Sequence, residues 1–247
     1  VAVATDAVKN KADIVIHENQ NNMMEEIFRS MRTNLLFMMK EGEKVIMCTS
    51  TNSGEGKTFN AGNLAMAFAL LGKKVLLIGL DIRKPRLGEL FELNDTARGI
   101  TNLLVKDSPS EEQIKQQILP SGINKHLDIM TAGPIPPNPA ELVARASLDL
   151  IMEQLRQMYD YIIVDTAPVG LVTDTLAIGR VCDATVYVCR ADYTPKESIE
   201  LVNGLAAEEK LPNVSIVING IDMSKKKHSY YYGYGKYGRY GRYGRYG

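Results

Sequence analysis

From Lys44 onward the chain alternates short, nearly uninterrupted apolar runs with longer stretches whose apolar residues recur at helical spacing. The runs are "KVIMCTS" (44–50), "KKVLLIGL" (73–80), "HLDIMTAG" (126–133), "YDYIIVDTAP" (159–168), "DATVYVCRA" (183–191) and "NVSIVINGI" (213–221). Because most lack the in–out alternation of a half-exposed strand, they predict strands covered on both faces, as in parallel sheets. Between the first two lies "KTFNAGNLAMAFALLG" (57–72), a helix that Gly72 is placed to close. "GPIPPNPAEL" (133–142) is a proline-rich loop in which Asn138 and Pro139 open a further helix. Ahead of the first strand, residues 18–40 ("ENQNNMMEEIFRSMRTNLLFMMK") read as another helix. The alternation predicts an α/β fold: a mostly parallel sheet with helices on both faces.

The periodicity stops after Met223. The chain closes on "YYYGYGKYGRYGRYGRYG" (230–247), which has no aliphatic residue with which to build a core and is expected to be a flexible tail. Two parts follow: a folded domain over 1–223 and a basic tyrosine cluster over 224–247. The tail holds eight of the twelve tyrosines: Tyr230, Tyr231, Tyr232, Tyr234, Tyr237, Tyr240, Tyr243 and Tyr246. It also holds seven basic residues and no acid. With 29 basic and 29 acidic residues in the whole chain, the tail carries +7 and the rest −7. Body and tail therefore attract, and more strongly at low salt.

At 247 residues and 45% hydrophobic content the chain can bury a substantial core. No apolar run approaches the roughly 20 residues of a membrane helix, so this chain itself is expected to be soluble. Its first residue is Val rather than Met, which leads to the expectation of an excised domain and leaves the question of a membrane anchor upstream open. Cys48, Cys182 and Cys189 lie in apolar surroundings without metal-ligand spacing, as in a reducing compartment without a structural metal.

The chemistry concentrates in "TSTNSGEGKTFN" (49–60), between a predicted strand and a predicted helix. Gly54, Gly56, Lys57 and Thr58 stand there as in a P-loop, whose backbone N–H groups and helix N-terminus hold phosphates. Lys57 would reach the β- and γ-phosphates of ATP, and the Thr58 hydroxyl would bind Mg²⁺. Thr51 replaces the first glycine of the usual pattern. Asp165 ends "YIIVD" as a Walker B carboxylate would, near Thr58 and the metal. Asp81 follows "VLLIGL" and precedes Arg83 and Lys84; opposite the P-loop it could contact Mg²⁺ or accept a proton from an incoming hydroxyl.

With these motifs in place the chain resembles, over essentially its whole length, the bacterial tyrosine kinases (BY-kinases) of capsule and exopolysaccharide export. The P-loop, the Walker A′ strand ending at Asp81 and Arg83, the Walker B strand ending at Asp165 and the tyrosine cluster carry the resemblance. It implies a P-loop fold related to chromosome-partitioning and septum-positioning ATPases. It also implies MgATP-dependent phosphorylation of tail tyrosines on a neighbouring subunit. Catalysis would rest on Lys57, Asp81 and Asp165, and the metal on Thr58, Asp81 and Asp165. The nucleotide would be held by Asn52, Ser53, Gly54, Glu55, Gly56, Lys57, Thr58, Phe59 and Arg83, with Asn219 near the adenine edge. An E-x-x-R-x-x-R helix that packs such subunits into rings has its counterpart in Glu26, Arg29 and Arg32.

The resemblance further implies an octameric homo-oligomer and a membrane-anchored polysaccharide co-polymerase region in the same full-length chain. It places the domain at the cytoplasmic face of the bacterial inner membrane and calls for a protein-tyrosine phosphatase as antagonist. Two departures stand out. The family's A′ motif reads D-x-D, and its first position here is Gly79; the partitioning ATPases' signature lysine is replaced by Asn52. Three rivals are set against the kinase: a partitioning-type ATPase without kinase activity, a non-catalytic ATP-binding regulator of export, and a nucleic-acid-binding module using the Arg and Tyr tail.

Overall fold

The structure, a computed structural model, describes residues 14–17, 23–93 and 95–222. The tyrosine tail and the first residues of the expected N-terminal helix lie outside the described residues. In chain order the elements are α1 (Met23–Met38), β1 (Val45–Ser50), α2 (Lys57–Ala69), β2 (Val75–Gly79), α3 (Leu87–Leu90), α4 (Thr101–Leu104), α5 (Glu111–Lys115), β3 (Leu119–Pro120), β4 (Leu127–Met130), α6 (Pro139–Val143), α7 (Ala146–Met158), β5 (Tyr161–Asp165), α8 (Asp174–Gly179), β6 (Ala184–Arg190), α9 (Glu197–Ala207) and β7 (Val214–Asn219). All six apolar runs form strands. The sheet order is β3-β4-β2-β5-β1-β6-β7, parallel throughout except for the two-residue β3 against β4.

Continuous apolarity has the expected cause, because the inner strands are buried on both faces. On β1, Val45 and Met47 point into one core with Leu148, Ile151 and Leu155 of α7. Ile46 and Cys48 point into the other, with Leu64 and Phe68 of α2 and Phe28 of α1. Helix α2 lies between the sheet and α1, so Ala61, Leu64, Ala65, Met66, Ala67 and Phe68 are all buried. Gly72, at φ +73°, turns the chain out of it. The helix expected after Asn138 proves to be two, α6 and α7, broken at Ala144 and Arg145. Short α3, α4 and α5 have four or five residues each. Little more than a single turn is too short to display a 3.6-residue period.

The residues of the expected oligomerisation stripe do not share one environment. Glu26 projects into solvent and Arg29 lies 3.8 Å from it, while also pairing with buried Glu25. Arg32 instead turns inward and donates to the backbone carbonyl of Ala67 on α2. It binds α1 to the helix that starts at the P-loop.

At the opposite end of the sheet, Asp183 joins three elements. Its Oδ2 accepts from the amides of Lys44 (2.7 Å) and Val45 (2.8 Å), and Arg156 binds both of its oxygens at 2.8 and 2.7 Å. Burial pushes this carboxyl up. The hydrogen bonds from Arg156, Val45 and Lys44 and the charge of Arg156 outweigh it and hold the group below its ordinary value. A depressed folded value means stability present above the unfolded carboxylate range and lost as pH falls below about 4. Asp183→Ala is expected to lower unfolding free energy by about 2–3 kcal/mol at pH 7, with the difference from the unsubstituted chain shrinking in acid. Urea titrations at pH 7 and pH 3.5 measure both.

Candidate active site

Three strands bring the motifs together. β5 lies between β1 and β2, with Cys48 and Gly79 both in register with Asp165. The loop after β1, the carboxylate ending β5 and the turn after β2 therefore meet at the carboxyl ends of the parallel strands. The carbonyl of Asp165 accepts the amides of Leu80 (2.7 Å) and Asp81 (3.1 Å), which fixes the start of that turn. Asp81 Oδ1 then accepts the amide of Lys84 at 3.0 Å.

Lys57, first residue of α2, is held between two acids. Its Nζ donates to Asp81 Oδ2 at 2.9 Å and lies 3.8 Å from Asp165 Oδ1. Burial pushes the ammonium down, but the charges of Asp165 and Asp81 and the Asp81 hydrogen bond outweigh it, so Lys57 stays protonated. Burial raises Asp165 as well, opposed by the Lys57 charge and by the Thr58 hydroxyl, which donates to Oδ2 at 2.8 Å; the net direction is up. Asp165 Oδ1 is buried and accepts no hydrogen bond. Among the described residues no group of three or more His, Cys, Asp or Glu could hold a metal alone. Asp165, Asp81 and Thr58 offer a sparse oxygen set of the kind that fits Mg²⁺ where phosphates and waters would complete its shell, and the orphaned Oδ1 fits that use.

Lys57, Thr58 and Asp81 border a cavity of about 500 Å³, and Asp165 lies behind its wall. Of the expected nucleotide-site residues, Ser53, Gly54, Gly56, Lys57, Thr58, Phe59 and Asp81 line it and Asn52, Glu55 and Asn219 do not; Lys84, Arg86 and Glu89 complete the wall. Within the "RKPR" cluster, Arg83 is the expected nucleotide contact. The structure turns it away: Arg83 donates to buried Asp174 at 2.6 and 3.0 Å and borders a second cavity. Asn52 and Glu55 shape the loop from within, the amide of Asn52 donating to Glu55 Oε2 at 2.6 Å. Asn219 reaches the loop too, Nδ2 donating to the Glu55 carbonyl at 3.0 Å. A Cβ on Gly79 would meet the side chain of Leu87 at 3.3 Å, so the direction in which the D-x-D pattern would place its first carboxylate is filled by an apolar group.

This arrangement has counterparts among known proteins. A family model for an AAA domain matches residues 43–179, more than half of the chain. Tyrosine-protein kinase YwqD of Bacillus subtilis (strain 168) is 36% identical over 222 residues, covering 90% of this chain and 91% of that protein. The kinase domain of the Escherichia coli tyrosine kinase ETK superposes with a TM-score of 0.78 at 28% identity, over 90% of this chain and 85% of that one. The chimerical protein CapA2B2 gives a TM-score of 0.76 at 31% identity, over 85% and 90%. The chain belongs to the bacterial tyrosine kinase family, within the P-loop NTPase class. A septum site-determining protein MinD from Pyrococcus horikoshii, at 19% identity and a TM-score of 0.59 over 71% of this chain and 70% of that one, shares the fold alone.

Gly56 tests the geometry directly. Its φ of +96° is in the left-handed region, and a Cβ there would fall 2.1 Å from Asn219 Nδ2. Gly56→Ala should lower stability by about 1–3 kcal/mol through strain and the displaced Asn219 amide. Nucleotide binding should be lost with it. Denaturant titration and calorimetry with MgADP read the two effects.

Proposed function

We propose that this chain transfers the γ-phosphoryl group of MgATP to tyrosines in the C-terminal cluster of a neighbouring copy. The observation that carries the reading is that Lys57, Thr58 and Asp81 line one cavity, with Asp165 held against Thr58 and Lys57 behind its wall, in a chain whose sequence supplies eight tyrosines near its end. Phosphoryl transfer asks mainly for positioning and charge stabilisation. The P-loop amides and Lys57 would hold the phosphates; Mg²⁺, when bound by Thr58, Asp81 and Asp165, supplies further neutralisation of charge. The phenolic oxygen attacks the γ-phosphorus, the bond to the β–γ bridging oxygen breaks, and ADP leaves. Asp81 takes the phenolic proton, which at a pKa near 10 does not leave unaided at pH 7. With Leu87 beside Gly79, Asp81 would carry this role without a second carboxylate two residues before it.

The 18 residues from Tyr230 to Gly247 could extend roughly 60 Å at about 3.3 Å per residue, enough to enter a neighbour's cavity. Each phosphate adds about −1.5 to −2 charges, so eight would add roughly −12 to −16 to a tail of +7. In this reading the tail, once modified, is repelled by the −7 body and loosens a homo-oligomeric ring, an octamer by family resemblance. Glu26 and Arg29 would face the adjacent subunit while Arg32 braces α1. No helix of the described residues is long and apolar enough to cross a membrane. In the same reading, by family resemblance, a co-polymerase region of the full-length protein anchors the domain at the cytoplasmic face of the inner membrane, and a protein-tyrosine phosphatase resets the tail.

One observation favours a second reading, a regulator that binds nucleotide without transfer: Leu87 occupies the direction open to a side chain at position 79. Intact-mass spectrometry after incubation with MgATP separates the two. The kinase reading expects a phosphate ladder that maps to Tyr230–Tyr246, is absent in Lys57→Met, and forms about 10²–10⁴-fold more slowly in Asp81→Asn. ATP binding without any ladder would favour the regulator; ATP hydrolysis without a ladder would favour a partitioning-type ATPase. Sedimentation of the unmodified and fully phosphorylated chains tests the switch, with a smaller assembly expected after modification and equal sizes counting against it.

A further inference from the structure

A planar trans peptide points the N–H of one residue opposite to the C=O of the residue before it. Whatever fixes the carbonyls of Ser53, Gly54 and Glu55 therefore aims the amides of Gly54, Glu55 and Gly56. All three carbonyls accept hydrogen bonds from side chains at the far side of the loop, where β6 and β7 end. The Tyr193 hydroxyl donates to the Ser53 carbonyl, Arg190 Nη1 to the Gly54 carbonyl and Asn219 Nδ2 to the Glu55 carbonyl, each at 3.0 Å. The donors are themselves held. Arg190 packs 5.2 Å from the centroid of the Tyr193 ring, and its amide donates to the Thr194 hydroxyl at 2.7 Å. That hydroxyl donates in turn to Glu55 Oε1, while Glu55 Oε2 takes the Asn52 amide.

None of Arg190, Tyr193 and Thr194 is among the residues lining the cavity; Arg190 ends β6 and the other two lie in the turn after it, more than 130 residues after the P-loop. We infer that Arg190, Tyr193 and Thr194, with Asn219, are positioning residues for phosphate binding: they pin three successive carbonyls outward so that the following amides converge on the phosphates. The inference rests on the proposal that MgATP phosphates bind this loop. It divides the loop's backbone into two faces, donors toward the anion and acceptors toward β6 and β7. Arg190 also sets a cation behind the cradle, where its field adds to that of the amides.

The test uses the full chain with two probes that cannot be turned over to phosphotyrosine: MgADP, and magnesium tripolyphosphate, which has phosphates and no base. Tyr193→Phe keeps the ring and removes the donor; Arg190→Met removes the charge and the donor; Arg190→Lys keeps a donor. Loss of one pin should weaken both probes about three- to tenfold in Tyr193→Phe and in Arg190→Met, with part of the loss restored in Arg190→Lys. Unchanged affinity for both probes in the two variants would overturn the inference. So would weakened MgADP with unchanged tripolyphosphate, which would make these residues contacts of the base or ribose. Failure of the unsubstituted chain to bind either probe would remove the nucleotide reading itself, and the inference with it.

Discussion

A buried ammonium ion is tolerable only beside opposite charge, and the site is organised around that constraint. Lys57 sits 2.9 Å from Asp81 and 3.8 Å from Asp165, and the three residues come from the start of α2, the turn after β2 and the end of β5. Satisfying the cation therefore fixes how three strand ends meet. The strand order does the rest: with β5 between β1 and β2, the Walker B carboxylate is delivered beside both the P-loop and the A′ turn. Thr58, one residue into α2, reaches the other oxygen of Asp165, so Asp165 answers to both residues at the helix start.

The fold was legible where burial is symmetric. Each of the six apolar runs became a strand, and in the inner strands β1, β2, β5 and β6 the run is continuous because both faces are covered. β7 shows the limit, since it lies at the sheet edge and Ile216 and Ile218 remain exposed there. Its "VSIVIN" run reads like an inner strand although β7 is the last strand of the sheet among the described residues. One-turn helices escaped for lack of a period. The expected site was legible in Gly54, Gly56, Lys57 and Thr58, whose spacing is local, and in Asp165, whose position at the end of an apolar run has a topological meaning.

Long-range partners decided what the sequence could not. Four consecutive residues, Arg83, Lys84, Pro85 and Arg86, offer three cations, and nothing local tells which face the cavity. Asp174, buried at the start of α8, takes Arg83 with two hydrogen bonds and leaves Lys84 and Arg86 on the cavity wall. Arg32 shows the same effect. Its spacing from Glu26 and Arg29 suggests one stripe, but an acceptor on α2, the Ala67 carbonyl, draws its guanidinium inward. Charge spacing on a helix specifies which residues are neighbours, not whether a second helix claims one of them.

The same reasoning places β7 in two relationships at once. At its carboxyl end Asn219 holds the Glu55 carbonyl of the P-loop, and near its start the Ser215 hydroxyl contacts the sulfur of Met38, the last residue of α1, at 3.0 Å. α1 is also tied to α2 through Arg32, and α2 begins with Lys57. The helix that carries Glu26 and Arg29 is thus in direct contact with both elements that set the loop's shape, one from the amide-facing side and one from the carbonyl-facing side. If subunits pack on that helix, assembly and phosphate binding bear on the same few hydrogen bonds, and the loop is the natural place for one to influence the other.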